Sequence, residues 1–190
     1  MKNILLIDNF DSFTFNLVDF FETAGGNITI FRNDVSVEDV HPKNYDLLLI
    51  SPGPSVPKNA GNLMKIIEKS VGNIPIFGVC LGHEALAEAF GGSLKFVPPV
   101  HGRSTPIHHD EKTIFQDLPQ NFPGGRYHSL AVDTMPNDFE VSATTTDNVI
   151  MAMRHKTLPI ESVQFHPESV LTMKEDSGMS IIRNVMNLWK

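Results

Sequence analysis

The chain has one cysteine, and it sits among glycines. Cys80 lies in Gly78-Val79-Cys80-Leu81-Gly82, where an apolar run turns polar. This G-x-C-x-G spacing is the cysteine form of the nucleophile elbow, a sharp strand-to-helix turn that exposes its central side chain. A helix starting near Leu81 would point its positive end at the sulfur and favour thiolate. The free N–H of Leu81 at that helix start can donate to an oxyanion. Taken alone, the pentapeptide fits an inert buried thiol equally well. A free thiol is only a few per cent thiolate at neutral pH, so a reactive one needs a base. Of eight histidines, His166 in Val163-Gln164-Phe165-His166-Pro167-Glu168-Ser169 is the best placed. Pro167 drives His166 into extended backbone. If Glu168 is extended too, both side chains project to one side. A carboxylate there can fix the imidazole tautomer and stabilise the imidazolium. The same tripeptide also fits an ordinary strand-to-turn junction. A third stretch, Ser51-Pro52-Gly53-Pro54-Ser55-Val56-Pro57, is a rigid loop that bares the backbone of Gly53. It can aim an N–H at an oxyanion, and alone it also fits a plain Pro/Gly turn. Together the three supply nucleophile, base, orienter and oxyanion donors for acyl transfer.

Those residues need elements to carry them. Four apolar runs lie in the first 80 residues: 4–7, 28–31, 47–50 and 74–79. They are continuous rather than alternating, as strands buried on both faces are. Helical spacings separate them: Phe13, Leu17, Phe20 and Phe21; then Leu63, Ile66 and Ile67; then Leu81, Ala85, Leu86 and Ala89. Strand-helix-strand repetition predicts an α/β fold with a parallel sheet and helices on both faces. Ligands in such sheets bind outside the carboxyl ends of the strands, where Cys80 and the 51–57 loop fall. From 93 to 165 the texture changes to shorter β-like runs at 94–97, 130–132, 139–145, 149–153 and 160–165. Pro98-Pro99, Pro123-Gly124-Gly125 and Pro136-Asn137-Asp138 read as turns between them, which predicts antiparallel additions. A last helix is expected over 177–189. No repeat, linker or low-complexity segment appears, so one domain over 1–190 is expected.

Bulk properties exclude several classes. The 190 residues carry 15 basic and 22 acidic side chains, a formal charge of −7. That balance argues against a nucleic-acid or anionic-membrane surface. A lone cysteine cannot close an internal disulfide. No apolar stretch approaches the ~18 residues of a membrane span, and the N-terminus lacks a signal-peptide pattern. A soluble, cytoplasmic protein is expected.

These motifs, in this order, resemble the class I glutamine amidotransferases of the Cys-His-Glu type over essentially the whole chain. Leu5-Leu6-Ile7-Asp8-Asn9-Phe10-Asp11-Ser12-Phe13 and Arg126-Tyr127-His128-Ser129-Leu130 resemble the branch that feeds ammonia to chorismate-using synthases. The resemblance implies a flavodoxin-like three-layer α/β/α fold, with a mostly parallel central sheet and added antiparallel strands. It implies that Cys80 attacks the glutamine amide, His166 shuttles the proton, Glu168 orients His166, and the N–H groups of Gly53 and Leu81 form the oxyanion hole. Gly53, Pro54, Ser55, Leu81, Glu84, Ser129 and Leu130 are the implied glutamine-binding residues. The implied partner is a chorismate-using synthase: anthranilate synthase component I or aminodeoxychorismate synthase component I. No cofactor or metal is implied in this chain, and magnesium is expected in the partner. Residues 100–107 resemble a partner-facing loop, with Arg103 where the family usually has lysine.

Two positions depart from the family pattern. Ser55 replaces a usual glycine or other small residue. Glu84 stands where glutamine is usual; it is expected either to pair with the α-ammonium of glutamine or to face solvent on the first helical turn. His108-His109-Asp110 is expected to be a polar turn, Ser12 to cap the first helix, and Phe13, Phe15, Phe20 and Phe21 to serve packing. "SPGPSVPKNAG" leans to the anthranilate side, with the aminodeoxychorismate (para-aminobenzoate) pathway, or one chain shared by both, as the alternative. More remote readings are a flavodoxin-like module whose phosphate loop is "DNFDSFT" and a catalytically impaired regulatory subunit.

Overall fold

The computed structural model describes residues 1–189. Nine strands form one sheet: β1 Lys2–Asp8, β2 Gly26–Arg32, β3 Leu47–Ile50, β4 Ile76–Val79, β5 Ser93–His109, β6 Phe122–Thr134, β7 Phe139–Thr144, β8 Ile150–His155 and β9 Ile160–Val163. The order is β2-β1-β3-β4-β9-β8-β7-β5-β6. The first five are parallel, and the rest join through antiparallel pairs. Helices α1 Thr14–Thr23, α2 Leu63–Ser70, α3 Leu81–Ala89 and α4 Ser177–Leu188 flank it.

Side-chain alternation splits the sheet's two faces. Ile4, Leu6, Leu47, Leu49, Phe77 and Val79 pack with Leu17, Phe20 and Phe21 of α1 and Ile181, Ile182 and Val185 of α4. Leu5, Ile7, Leu48, Ile50 and Ile76 pack with Leu63, Ile66 and Ile67 of α2 and Leu81, Ala85 and Leu86 of α3. Both sets are almost wholly buried. The period of two in the strands and of 3.6 in the helices thus builds two cores around one sheet. Among the described residues no helix is long and apolar enough to cross a membrane.

Several expectations need correction. Residues 100–107 are not a loop; they continue strand β5, paired with β6 from Val100–His128 to Ile107–Phe122. The pairing shifts register at Phe96/Val100 and His101/Arg103, so Pro98-Pro99 and Gly102 act as bulges inside a strand rather than as its end. Pro123-Gly124-Gly125 lies within β6, not in a turn. Gly124 is small because β5 crosses it closely: a Cβ there would stand 2.6 Å from Ile107 Cγ1. The 160–165 run belongs to the parallel core, beside β4, and its β9 is buried throughout. Ser12 does not cap α1. Asp11 Oδ1 instead accepts the Phe13 N–H at 2.8 Å, and Asp8 Oδ1 accepts from Phe10 N and Thr14 Oγ1. Carboxylates therefore take these loop donors, which removes the phosphate-loop reading of "DNFDSFT". Phe15, expected in packing, is 67% exposed, whereas Phe20 and Phe21 are core.

Candidate functional site

Strands β3, β4 and β9 are adjacent and parallel, so their carboxyl ends open side by side. The 51–57 loop follows β3, Cys80 follows β4, and His166 comes three residues after β9. Sheet order alone brings the three sequence signals to one edge.

Cys80 is the elbow. Its backbone has φ 53° and ψ −103°, at the N-terminus of α3. That conformation is strained for any residue with a side chain, and such strain gathers at functional sites. It is held because the strand and helix on either side close tightly. A Cβ on Gly82 would meet Ile50 O at 2.8 Å, and one on Gly78 would meet Gly82 C at 2.7 Å. The flanking glycines are thus the condition for the turn. Across from it, a Cβ on Gly53 would stand 2.4 Å from Leu81 Cδ2 and 2.5 Å from Asn9 Cβ. The Gly53 backbone therefore lies directly against the start of α3. Asn9 secures the loop: its N–H donates to Ser51 Oγ and its side-chain amide to Ser51 O, both at 2.9 Å.

His166 is buried and tied at both ends. Its N–H donates to Gly125 O of β6 at 2.9 Å, forming an isolated bridge, and its carbonyl accepts from Thr172 Oγ1. Glu168 is not extended; it lies in the turn after Pro167, closed by Ser169 N donating to His166 O. The turn still brings the carboxylate to the imidazole, with Nδ1 donating to Glu168 Oε1 at 2.7 Å. Nε2 is buried with no hydrogen-bond partner among the described residues. Burial alone would lower the imidazole's pKa, but the Glu168 carboxylate and neighbouring Cys80 hold it well above its usual value. Burial raises the Cys80 thiol, and His166 pulls it back. The rings of Phe13 and Tyr127 each pack edge-on to the imidazole, with centroids 5.0 Å away.

A pocket of about 190 Å³ opens in front of the sulfur, lined by Gly53, Pro54, Ser55, Cys80, Glu84 and residues 127–130. Its volume suits a ligand smaller than the drug-sized molecules of typical pockets. Leu81 is not in its wall; its side chain is buried behind Gly53. Ser55 adopts φ 70°, in the region that favours glycine. Ser129 faces the bulge of β5: Leu130 pairs with Phe96 and His128 with Val100, leaving Ser129 without a partner in the ladder. His128 donates from Nδ1 to Leu130 O at 2.7 Å and accepts from Arg126 Nε at 2.9 Å. Arginine can only donate, so this imidazole is neutral. Burial lowers its pKa to about 4. Glu84 is 3% exposed, which excludes the solvent-facing alternative. Burial pushes its carboxyl up to about 7, against a hydrogen bond from Gln164 that pulls it down.

Comparison with known proteins places the chain in a family. Residues 5–186 match the family model described as glutamine amidotransferase class-I. The chain belongs to the class I glutamine amidotransferases. It is 46% identical over 191 residues to anthranilate synthase component 2 of Methanocaldococcus jannaschii, covering 97% of this chain and 96% of that one. It is 44% identical to the aminodeoxychorismate/anthranilate synthase component 2 of Bacillus subtilis, covering 98% and 97%. In structure it resembles a GMP synthase subunit from Thermoplasma acidophilum with a TM-score of 0.87, at 28% identity over 99% of this chain and 94% of that one.

Several residues around this pocket escaped sequence reasoning. Asn9, Phe13, Tyr127, His128 and Gln164 all reach it from strands or loops distant in sequence from Cys80. The carboxyl-end rule could have flagged Asn9 and Phe13, because both follow β1 on the same edge. No local pattern marked Gln164. His83, beside the elbow, is a buried packing residue, with Nδ1 bonded to Ser162 Oγ at 2.9 Å. The pair His108-His109 bonds Thr146 Oγ1 and Pro119 O, and no metal-binding cluster of His, Cys, Asp or Glu occurs among the described residues.

Proposed function

We propose that Cys80, His166 and Glu168 hydrolyse glutamine, and that the ammonia goes to a chorismate-using synthase subunit that makes anthranilate for tryptophan biosynthesis. The observation that carries this is Nε2 of His166, which has no hydrogen-bond partner among the described residues and is buried beside Cys80 while Glu168 fixes the opposite nitrogen. Nε2 accepts the thiol proton as Sγ attacks the side-chain carbonyl carbon of glutamine. The carbonyl oxygen becomes an oxyanion and takes N–H bonds from Gly53 and Leu81. Collapse breaks the C–N bond, and the His166 imidazolium gives its proton to the leaving nitrogen, releasing ammonia. Water, deprotonated by His166, then cleaves the γ-glutamyl thioester to glutamate and free thiol. Gly53, Pro54, Ser55, Leu81, Glu84, Ser129 and Leu130 bind the substrate, with Glu84 opposite its α-ammonium.

The partner assignment is supported by the names of the relatives, which are called component 2 of anthranilate synthase in Methanocaldococcus jannaschii and Haemophilus influenzae. Magnesium, in this scheme, belongs to the partner synthase. The dual name of the Bacillus subtilis relative favours a second reading, in which one chain serves both anthranilate and aminodeoxychorismate synthesis. The test combines purified chain, glutamine and chorismate with each synthase in turn, and identifies the aromatic product. Glutamine-dependent anthranilate, lost in Cys80→Ser while ammonia still supports the synthase, is expected. Aminodeoxychorismate alone would move the chain to folate synthesis. Unchanged glutamine turnover in Cys80→Ser would overturn the chemistry.

A further inference from the structure

Gln164 directly follows β9 and is wholly buried. Its backbone N–H is fixed to Met151 O of β8 at 2.8 Å. Its side-chain nitrogen donates to Glu84 Oε1 at 3.0 Å and lies 3.8 Å from Cys80 Sγ. Its side-chain oxygen is buried with no hydrogen-bond partner among the described residues. A buried amide that leaves its acceptor idle is costly unless its donors are needed where they point. Here they point at the two groups of the pocket that carry negative charge when ionised. The opposite amide orientation would set Oε1 against an ionised carboxylate and suits only a protonated Glu84, so the present orientation is the one that goes with an ionised Glu84.

The other groups around Glu84 do not pin it in this way. Cys80 at the start of its helix and Glu88 one turn further along both disfavour its charge when ionised. His166, beyond β9, favours that charge through its own charge and makes no hydrogen bond to it. From β6, Tyr127 and neutral His128 face the same pocket. We propose that Gln164 is a positioning residue: it holds Glu84 ionised and turned into the pocket, and so sets the pH range over which the site accepts the ammonium of an amino-acid substrate. The proposal rests on the reading of Glu84 as counter-ion to the α-ammonium of glutamine. Burial raises the Glu84 carboxyl and the Gln164 bond opposes that rise, so loss of the donor moves ionisation of Glu84 to higher pH.

The experiment measures the KM for glutamine against pH in the assembled synthase complex. It compares wild type, Glu84→Gln, Gln164→Met, and the double variant. In wild type KM is expected to rise as pH falls through about 7. In Gln164→Met that rise moves to higher pH by about one pH unit, so that KM at pH 7.5 is about threefold higher and approaches the wild-type value by about pH 9. Added to Glu84→Gln, Gln164→Met changes KM less than about twofold, because the group it acts through is gone. If Glu84→Gln leaves KM unchanged, the counter-ion reading fails, and this proposal with it. If Glu84→Gln raises KM but the profile of Gln164→Met does not move, only the role of Gln164 is overturned. A uniform rise at every pH, repeated in the Glu84→Gln background, is a packing effect and also overturns it. Gln164→Glu keeps the size of the side chain and covers the case in which the methionine variant does not fold. Two carboxyls then share a proton and the profile again moves to higher pH, whereas an unmoved profile overturns the role.

Discussion

In the proposed mechanism Cys80, His166 and Glu168 divide their labour by which atoms they leave free. Glu168 Oε1 accepts the Nδ1–H hydrogen bond and keeps the proton on that nitrogen, so Nε2 is the nitrogen that can act on the sulfur. Glu168→Gln can present an N–H to Nδ1 and drive the proton onto Nε2, the wrong tautomer for a base. We expect kcat to fall by about 10²–10⁴ with KM little changed, read from steady-state glutaminase assays in the complex. Gly53 is the other residue whose atoms are fully committed. With 2.4 Å between a new Cβ and Leu81 Cδ2, Gly53→Ala must displace the loop that carries its N–H. Loss of that donor is expected to lower kcat about 10²–10³-fold. An unchanged kcat in Gly53→Ala would show that the oxyanion is held elsewhere.

At the scale of elements, the elbow depends on how closely α3 sits against β3. Gly82 faces the Ile50 carbonyl, a backbone atom that cannot rotate away. Gly82→Ala is therefore expected to cost about 1–3 kcal/mol in urea denaturation, as overpacking does. Activity should fall as well, because the turn that presents Cys80 must open. Much of this layer was legible in the sequence: the runs at 4–7 and 47–50 lie in β1 and β3, where strands buried on both faces leave a continuous apolar signature, while the run at 28–31 lies in β2, an edge strand that is only partly buried. The long β5–β6 hairpin was not. Its prolines and glycines read as turns locally, yet they serve as bulges and close crossings once a second strand lies alongside.

At the scale of the whole molecule, a polar cluster joins the antiparallel strands to the parallel core. Arg154 of β8 bonds Asp110, Glu140 of β7 and Thr113, and Thr113 in turn donates to Glu161 of β9 at 3.0 Å. Burial pushes Glu161 from 4.5 up to about 8, against the bond from Thr113 and the charge of Arg154. Its folded value lies above the unfolded one, so the native state keeps a proton that the unfolded chain has lost. Stability from this group is complete below about pH 4.5 and is lost progressively up to about pH 8. Glu161→Gln removes that loss. It should raise stability by at least about 1 kcal/mol at about pH 8 and leave it nearly unchanged at about pH 4.5, measured by thermal or urea melts at both values. A melt equally shifted at both would mean that the carboxyl does not titrate in this range.

The sequence by itself determined what its local chemistry dictates. Glycines around a lone cysteine, a proline after a histidine, and a carboxylate two residues on are all short-range patterns. They named Cys80, His166, Glu168 and Gly53, and with them the family. Only the tertiary structure decided which distant residues complete the site. Sheet order places β9 next to β4 and so brings Gln164 between Cys80 and Glu84. The bridge from Gly125 to His166 carries β6, and with it Tyr127 to Leu130, to the same pocket. It also decided that Glu84 is buried rather than solvent-facing, since one helical turn in the sequence does not say what lies across from it. Such contacts depend on which strands pair, and pairing is a property of the whole packed sheet, with no trace in any short stretch of residues.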